Sequence, residues 1–278
     1  MSYKTILVHL NRESRARSLM EVGIELAQRF NAHLIGLHVF PAYRMTPPVP
    51  LPFVGEVAAQ IRGAIKKEDE AIKAVFDEMT EAQPFTFEWR SIVNERRDPA
   101  HTVLQQSHTA ELVVVSQADP NWQLSDVLDF PDRLTLGAGR PVFVVPNFGR
   151  HKAVPRNVLV AWTNSRESAR AIGDAMPLLA LATRVHLMTA MEAGAVGEDG
   201  SLDEIAGVLR RHGIDPVVSR PLATEFTTGE EIRVRAIDEQ ADLLVMGCYG
   251  HSRMREMALG GVTRHLLRET TIPLLLSH

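Results

Sequence analysis

Apolar residues in this chain come in short dense runs, separated by longer stretches in which they recur every three or four positions. Ile6-Leu-Val-His-Leu10, Leu112-Val-Val-Val115 and Val142-Phe-Val-Val145 are such runs, and Val158-Leu-Val-Ala-Trp162, Leu243-Leu-Val-Met246 and Leu274-Leu-Leu276 follow later. Aliphatic and β-branched runs of this length predict strands buried on both faces of a parallel sheet. Between the first two strands, Leu19, Val22, Gly23, Leu26 and Phe30 form the apolar stripe of an amphipathic helix. In the first half the pattern predicts strands near 4–10, 32–40, 85–93, 111–116 and 141–146, with helices near 14–30, 55–82, 98–109 and 132–138. In the second half it predicts strands near 157–162, 183–190, 216–220, 242–247 and 272–277, with helices near 165–181, 201–212, 228–240 and 261–269.

Local chemistry sharpens several ends. Asp98-Pro99 predicts a capping residue followed by proline at the first helical position. Ser165 or Asn164 caps the next domain's first helix, and Thr228 with Glu231 has the form of a capping box. Pro177 should kink or shorten the helix it interrupts. Strands alternating with helices imply βαβ units with right-handed crossovers. The fold class is therefore α/β, with two doubly wound, Rossmann-like, five-stranded parallel-sheet domains in tandem.

The tandem reading comes from self-similarity. Ile6 to Leu10 followed by Arg12-Glu-Ser14 matches Val158 to Trp162 followed by Arg166-Glu-Ser168. The fourth and fifth strands of each half match at offsets of about 131 and 132 positions. Residues 146–155 are rich in turn formers and mark the boundary, giving expected domains of 1–149 and 150–278.

A chain of 278 residues with 45% hydrophobic and 23% charged content fits two soluble globular domains. The net charge of −4, without a basic block, argues against nucleic acid as a partner. No apolar span is long enough for a membrane helix, and no signal-peptide pattern opens the chain. With one cysteine, Cys248, an internal disulfide is excluded, so a cytoplasmic location is expected. Pro41, Pro47, Pro48, Pro50 and Pro52 predict an extended surface loop.

Candidate chemistry concentrates after the run Leu243 to Met246, where Gly247, Gly250, Gly260 and Gly261 follow. Two glycines three apart permit a sharp turn and a close approach of backbone N–H groups to a ligand. The second pair opens a short helix, whose first N–H groups and positive dipole end favour an anion. The spacing is neither that of a P-loop nor that of the dinucleotide fingerprint. Glycines acting only as turns and a helix cap would give the same spacing. Their place at the carboxyl end of a central strand is where open α/β sheets bind ligands.

Gly247-x2-Gly250-x9-Gly260 resembles the nucleotide-binding loop of the universal stress protein family. The resemblance implies the family's fold, a strand order of 3-2-1-4-5 in each domain, and ATP, with or without Mg²⁺, as the ligand. It implies phosphates on Gly247, Gly250, Gly260, Gly261, Val262 and Thr263, with His251 beside them. Ala161, Thr163 and Ala190 fall at its base-side positions. Two departures stand out. Gly261 replaces the family's Ser or Thr, and Ala161-Trp-Thr163 lacks the usual Asp at the end of the first strand. The family also implies pairing through the last strands, here internal, making 141–146 against 272–277 an intramolecular pseudo-dimer.

The first copy reads differently, with Ser116 and Asp119 at the Gly247 and Gly250 positions. Asp119, Asp126, Asp129 and Asp132 would repel a polyphosphate, each like-charge contact costing about 4 kcal/mol at ~4 Å before screening. Nucleotide binding is thus expected in the second domain alone. Cys248 and His251 are too few for a zinc site, and Ser252 beside His251 lacks an orienting acid. No metal site and no catalytic residue is expected. The reading is a regulatory nucleotide-binding protein of the stress response, with a slow ATPase or phosphotransferase, or a nucleotide-free scaffold, as its rivals.

Overall fold

The computed structural model describes residues 2–41, 54–94, 98–189, 200–220, 227–248 and 261–278. The first half runs β1 (Thr5–His9), α1 (Glu13–Phe30), β2 (His33–Pro41), α2 (Val54–Thr80), β3 (Phe87–Asn94) and α3 (Pro99–Ser107). It continues with β4 (Leu112–Ser116), α4 (Ser125–Leu128), α5 (Pro131–Gly137) and β5 (Val142–Val145). The second half runs β6 (Asn157–Trp162), α6 (Arg166–Leu179), β7 (Arg184–Thr189), α7 (Ser201–Arg211) and β8 (Val217–Ser219). It ends with α8 (Thr228–Asp238), β9 (Leu243–Gly247), α9 (Val262–Glu269) and β10 (Leu274–Ser277).

The ten strands among the described residues form one sheet, ordered β3-β2-β1-β4-β5-β10-β9-β6-β7-β8. Each half has the 3-2-1-4-5 order that the resemblance implied. Neighbours within a half are parallel, while β5 and β10 pair antiparallel, with Phe143 opposite Leu275. The last strands therefore join the halves as expected. Because that one pairing is antiparallel, the carboxyl ends of β1 and β4 point to one end of the sheet and those of β6 and β9 to the other.

Two apolar cores sandwich the sheet. One packs α1, α2, α6 and α7 against Ile6, Val8, Phe143, Val160 and Leu275. The other packs α3, α5, α8 and α9 against Leu7, Val142, Val144, Ala161 and Leu276. Both cores run through both halves, since β5 and β10 contribute to each.

The repeat extends to its polar fastenings. Glu111, just before β4, accepts hydrogen bonds from the N–H groups of Lys4 and Thr5. Asp242, just before β9, accepts from those of Arg156 and Asn157. Each acid thus anchors the start of the neighbouring first strand. At the seam, the Gln117 side-chain amide donates toward the carbonyls of Leu267, Arg268 and Thr270 at 3.0, 3.0 and 3.3 Å. These are carbonyls at the end of α9, where a helix leaves acceptors unpaired. The Gln117 carbonyl in turn accepts from the N–H of Asn147 in the connecting segment. Buried Arg15 secures the same segment, donating to Asn147 O, Pro146 O and Val145 O.

Asp98 caps α3 with Pro99 following, and Ser165 caps α6 through the N–H of Ser168. The capping box differs from the expectation: Thr227 and Glu230 form it, one residue before Thr228 and Glu231. Thr227 is extended while Thr228 already lies in the first turn, so the cap passes to the earlier threonine. Pro177 lies inside α6, which ends two residues later, at Leu179. Helix α4 was not foreseen from the pattern.

Two predictions follow from these contacts. Replacing Gln117 by Ala strips several buried carbonyls and one N–H of their partner and should cost about 1–3 kcal/mol in urea unfolding. An equally stable variant would remove Gln117 from the account of the seam. Burial, with His38 alongside, lowers the His9 ring from an ordinary 6.5 to about 3. Burial also lowers His38, despite its contact with the Leu10 carbonyl. These rings stay neutral in the folded chain while the unfolded chain takes up protons. Stability should fall as pH drops below 6.5, by up to about 1.4 kcal/mol per pH unit and per ring. Urea midpoints at pH 7 and pH 5 test this, and His9→Leu should flatten the loss.

Candidate functional site

The switch point of the second half lies where β6 and β9 run side by side, with Ala161 opposite Met246. Beyond β6 the chain passes Thr163 and enters α6. Thr163 Oγ1 lies 2.8 Å from Ser168 Oγ and 3.2 Å from Ser165 Oγ, and the Thr163 N–H donates to Ser168 Oγ. The turn is thereby locked to the first turn of α6, and the Thr163 hydroxyl already has partners.

Gly247 ends β9 directly under that turn. A Cβ on it would sit 2.4 Å from both the Glu167 carbonyl carbon and the Ser168 nitrogen. No side chain fits, because strand and helix backbones touch here. The glycine is required by this close approach, whatever a ligand asks of it. Sequence reading missed this partnership because the two segments lie about 80 positions apart. The repeated Arg-Glu-Ser at 12–14 and 166–168 was the available signal.

Glu167 is buried in this turn and contacts Arg166. Burial pushes its carboxyl upward, but the Arg166 guanidinium and the residue's own N–H outweigh that and hold it below the ordinary range. The next amide is consumed by the fold, since Cys248 N–H donates to Ser277 O at 3.0 Å. The Cys248 thiol donates to the same carbonyl, and its carbonyl faces His278 Nδ1 at 3.0 Å.

Helix α9 supplies the other wall. Its cap is Gly261, at φ −5 and ψ 140, with no side-chain hydrogen bond to the first turn. The first bond of the helix is His265 N–H to Gly261 O. No acidic residue stands in that turn, and Arg268 lies in the last. The first-turn N–H groups belong to Val262, Thr263 and Arg264, and such groups have no partner within a helix. Val262 packs on the core that holds Ala161, Met246 and Cys248, while Thr263 is buried.

Of the residues singled out from sequence, the fold gathers Ala161, Thr163, Gly247, Gly261, Val262 and Thr263 around this end of the sheet. Gly250, His251, Gly260 and Ala190 lie outside the described residues. Among the described residues no group of three or more His, Cys, Asp or Glu is placed to hold a metal ion.

The matching end of the first half is filled by its own side chains. Asp129 is buried and accepts from the Asp119 N–H at 3.0 Å, from Ser125 Oγ at 2.9 Å and from the Asn11 amide. Asp119 pairs with Arg12 at 2.9 Å, and this guanidinium lies 4.7 Å over the Trp122 ring. The Arg12 contact holds the Asp119 carboxyl below its usual range. His9 stacks on Phe130 with ring centroids 5.2 Å apart. Two of the aspartates expected to repel phosphate are therefore committed to internal donors.

The contact under Gly247 makes a direct prediction. Gly247→Ala should destabilise the chain by about 1–3 kcal/mol, because backbone atoms must move to admit the methyl group. Thermal unfolding reads this out, and an unchanged midpoint would show that the helix and strand have slack.

Comparison with known proteins places these features. The family described as Universal stress protein family matches residues 2–125 and, again, 155–278. A universal stress protein of Synechocystis sp. is 49% identical over 57 residues, 19% of this chain and 20% of that protein, so the chain matches about a fifth of that relative's length. The crystal structure of a universal stress protein from Archaeoglobus fulgidus superposes with a TM-score of 0.69 at 14% identity, covering 98% of this chain and 95% of that one. A functionally unknown protein from Pseudomonas aeruginosa PAO1 gives 0.61 at 13% identity, covering 99% and 92%. At such identities the two structures speak for the fold alone. No helix among the described residues is long and apolar enough to cross a membrane. The two family matches, one on each half and together spanning most of the sequence, establish that this chain belongs to the universal stress protein family.

Proposed function

We propose that the second domain, residues 150–278, binds adenine nucleotide, ATP foremost and with Mg²⁺ where the phosphates carry it. The observation that carries this reading is the helix α9 start, capped only by Gly261 and free of acidic residues, at the carboxyl end of the central strands. Unpaired N–H groups at a helix start favour a phosphate through both hydrogen bonds and the dipole. Gly261, Val262 and Thr263 then face the phosphates together with Gly250, His251 and Gly260 of the preceding loop. Ala161, Thr163 and Ala190 border the base and ribose. Gly247 acts one step removed, by letting α6 and β9 close beneath the loop.

Membership of the universal stress protein family supports a role in the stress response. Occupancy of the site alters the surface that partners read in the cytoplasm, and no residue is assigned to hydrolysis. The first domain, residues 1–149, serves as the pairing half. Thermal unfolding with ATP and Mg²⁺ tests the proposal. Ligand at 100 times its dissociation constant should add about 2.7 kcal/mol, and adenosine, lacking phosphates, should add far less. No shift at millimolar ATP would leave a nucleotide-free scaffold, whereas ADP accumulating above the protein-free rate would make the chain an enzyme.

A further inference from the structure

Aligned on β4 and β9, the two halves have loops of equal length, so Asp119 answers to Gly250, Asp129 to Gly260 and Phe130 to Gly261. On the first strands, His9 answers to Ala161 and Asn11 to Thr163. Three of these changes run the same way. Where the second half has Gly, Gly and Ala, the first has a carboxylate, a phenyl ring and an imidazole. The structure shows where they go. Asp129, at the Gly260 position, accepts the backbone N–H of Asp119, at the Gly250 position. Ser125 Oγ and the Asn11 amide complete its donors. His9 and Phe130 stack beside it.

A carboxylate oxygen and a phosphate oxygen accept from the same kinds of donor. We infer that the first domain carries a resident anion: the Asp129 carboxylate occupies a latent phosphate-type anion site, which removal of that side chain would open. The inference rests on the reading above for where a phosphate would sit in the second domain. Repulsion and occupancy are different mechanisms. A repelling carboxylate would face the mouth as a free charge, whereas Asp129 is buried and takes three donors.

Two further observations point the same way. Burial pushes the Asp129 carboxyl above its ordinary range, against the pull of the Asp119 N–H, the Ser125 hydroxyl and the Arg12 charge. The carboxylate is thus shielded from solvent where its three donors hold it. Buried polar atoms also remain beside it without a protein partner, namely Arg12 Nε, Asn11 Oδ1 and His9 Nε2. The site holds more polar capacity than its own aspartate uses, and Arg12 Nε is a cationic donor left over.

The test uses the full chain, inorganic pyrophosphate as the probe, and amide hydrogen exchange at Asp119 as the readout. In the parent chain the Asp119 amide should exchange slowly and ignore pyrophosphate. In Asp129→Gly it should exchange at least about tenfold faster, and millimolar pyrophosphate should restore its protection. Asp129→Asn keeps an acceptor of the same size without the charge, so it should stay protected and ignore the probe. If the glycine variant does not fold, Asp129→Ala takes its place. Unchanged protection in the opened variant, or no recovery with pyrophosphate, would overturn the inference. An equal pyrophosphate response from Asp129→Asn would overturn it too, because charge repulsion would then suffice. The readout lies on residues 117–130 and needs nothing from residues 247–263. A parent chain that gains no stability from ATP would sink the second-domain reading while leaving this result standing, and the converse also holds.

Discussion

The antiparallel pairing of β5 with β10 is the constraint on which the rest of the molecule depends. Val142, Phe143 and Val144 face Leu276, Leu275 and Leu274, and all six are completely buried. A strand edge presents unpaired N–H and C=O groups, and an apolar edge invites wrong partners. Joining the two halves edge to edge removes two such edges and makes both cores continuous. Gln117 and Arg15 then hold the seam and the connecting segment with charged or amide donors aimed at carbonyls. Among the described residues β3 and β8 stand at the margins of the sheet.

Within this shared frame the two copies diverge by side-chain volume at a few positions. The backbone device that anchors the first strand to an acid before the fourth is retained in both, through Glu111 and Asp242. What changes is the carboxyl end of the central strands. The first copy spends Asp129, Phe130 and His9 on filling that space, and the second leaves Gly, Gly and Ala at the matching positions. Burial in that filled space lowers the His9 ring and raises the Asp129 carboxyl.

Much of this was legible in the sequence. The aliphatic runs marked the central strands β1, β4, β5, β6, β9 and β10 within a few residues, since burial on both faces leaves no polar alternation to blur them. The repeat exposed the tandem plan, and the family resemblance supplied the strand order that spacing cannot. The misses have local causes. Two consecutive threonines offered two capping boxes of the same spacing, and the backbone chose Thr227. Helix α4 is a four-residue turn tied down by Ser125 and Asp129, too short for a periodic signal. In the site, Gly247 was legible as a turn glycine near a ligand, but its contact with Glu167 and Ser168, which requires glycine, is a tertiary fact. The loop that joins Gly247 to Gly261 falls almost wholly outside the described residues, so its share of the site rests on sequence.

The reversed direction of the two half-sheets has a spatial corollary. The end of the sheet at Thr163 and Gly247 and the end at Asp119 and Asp129 face opposite strand directions. A molecule approaching the Thr163 end along the strands therefore comes from the side opposite to one approaching Asp129.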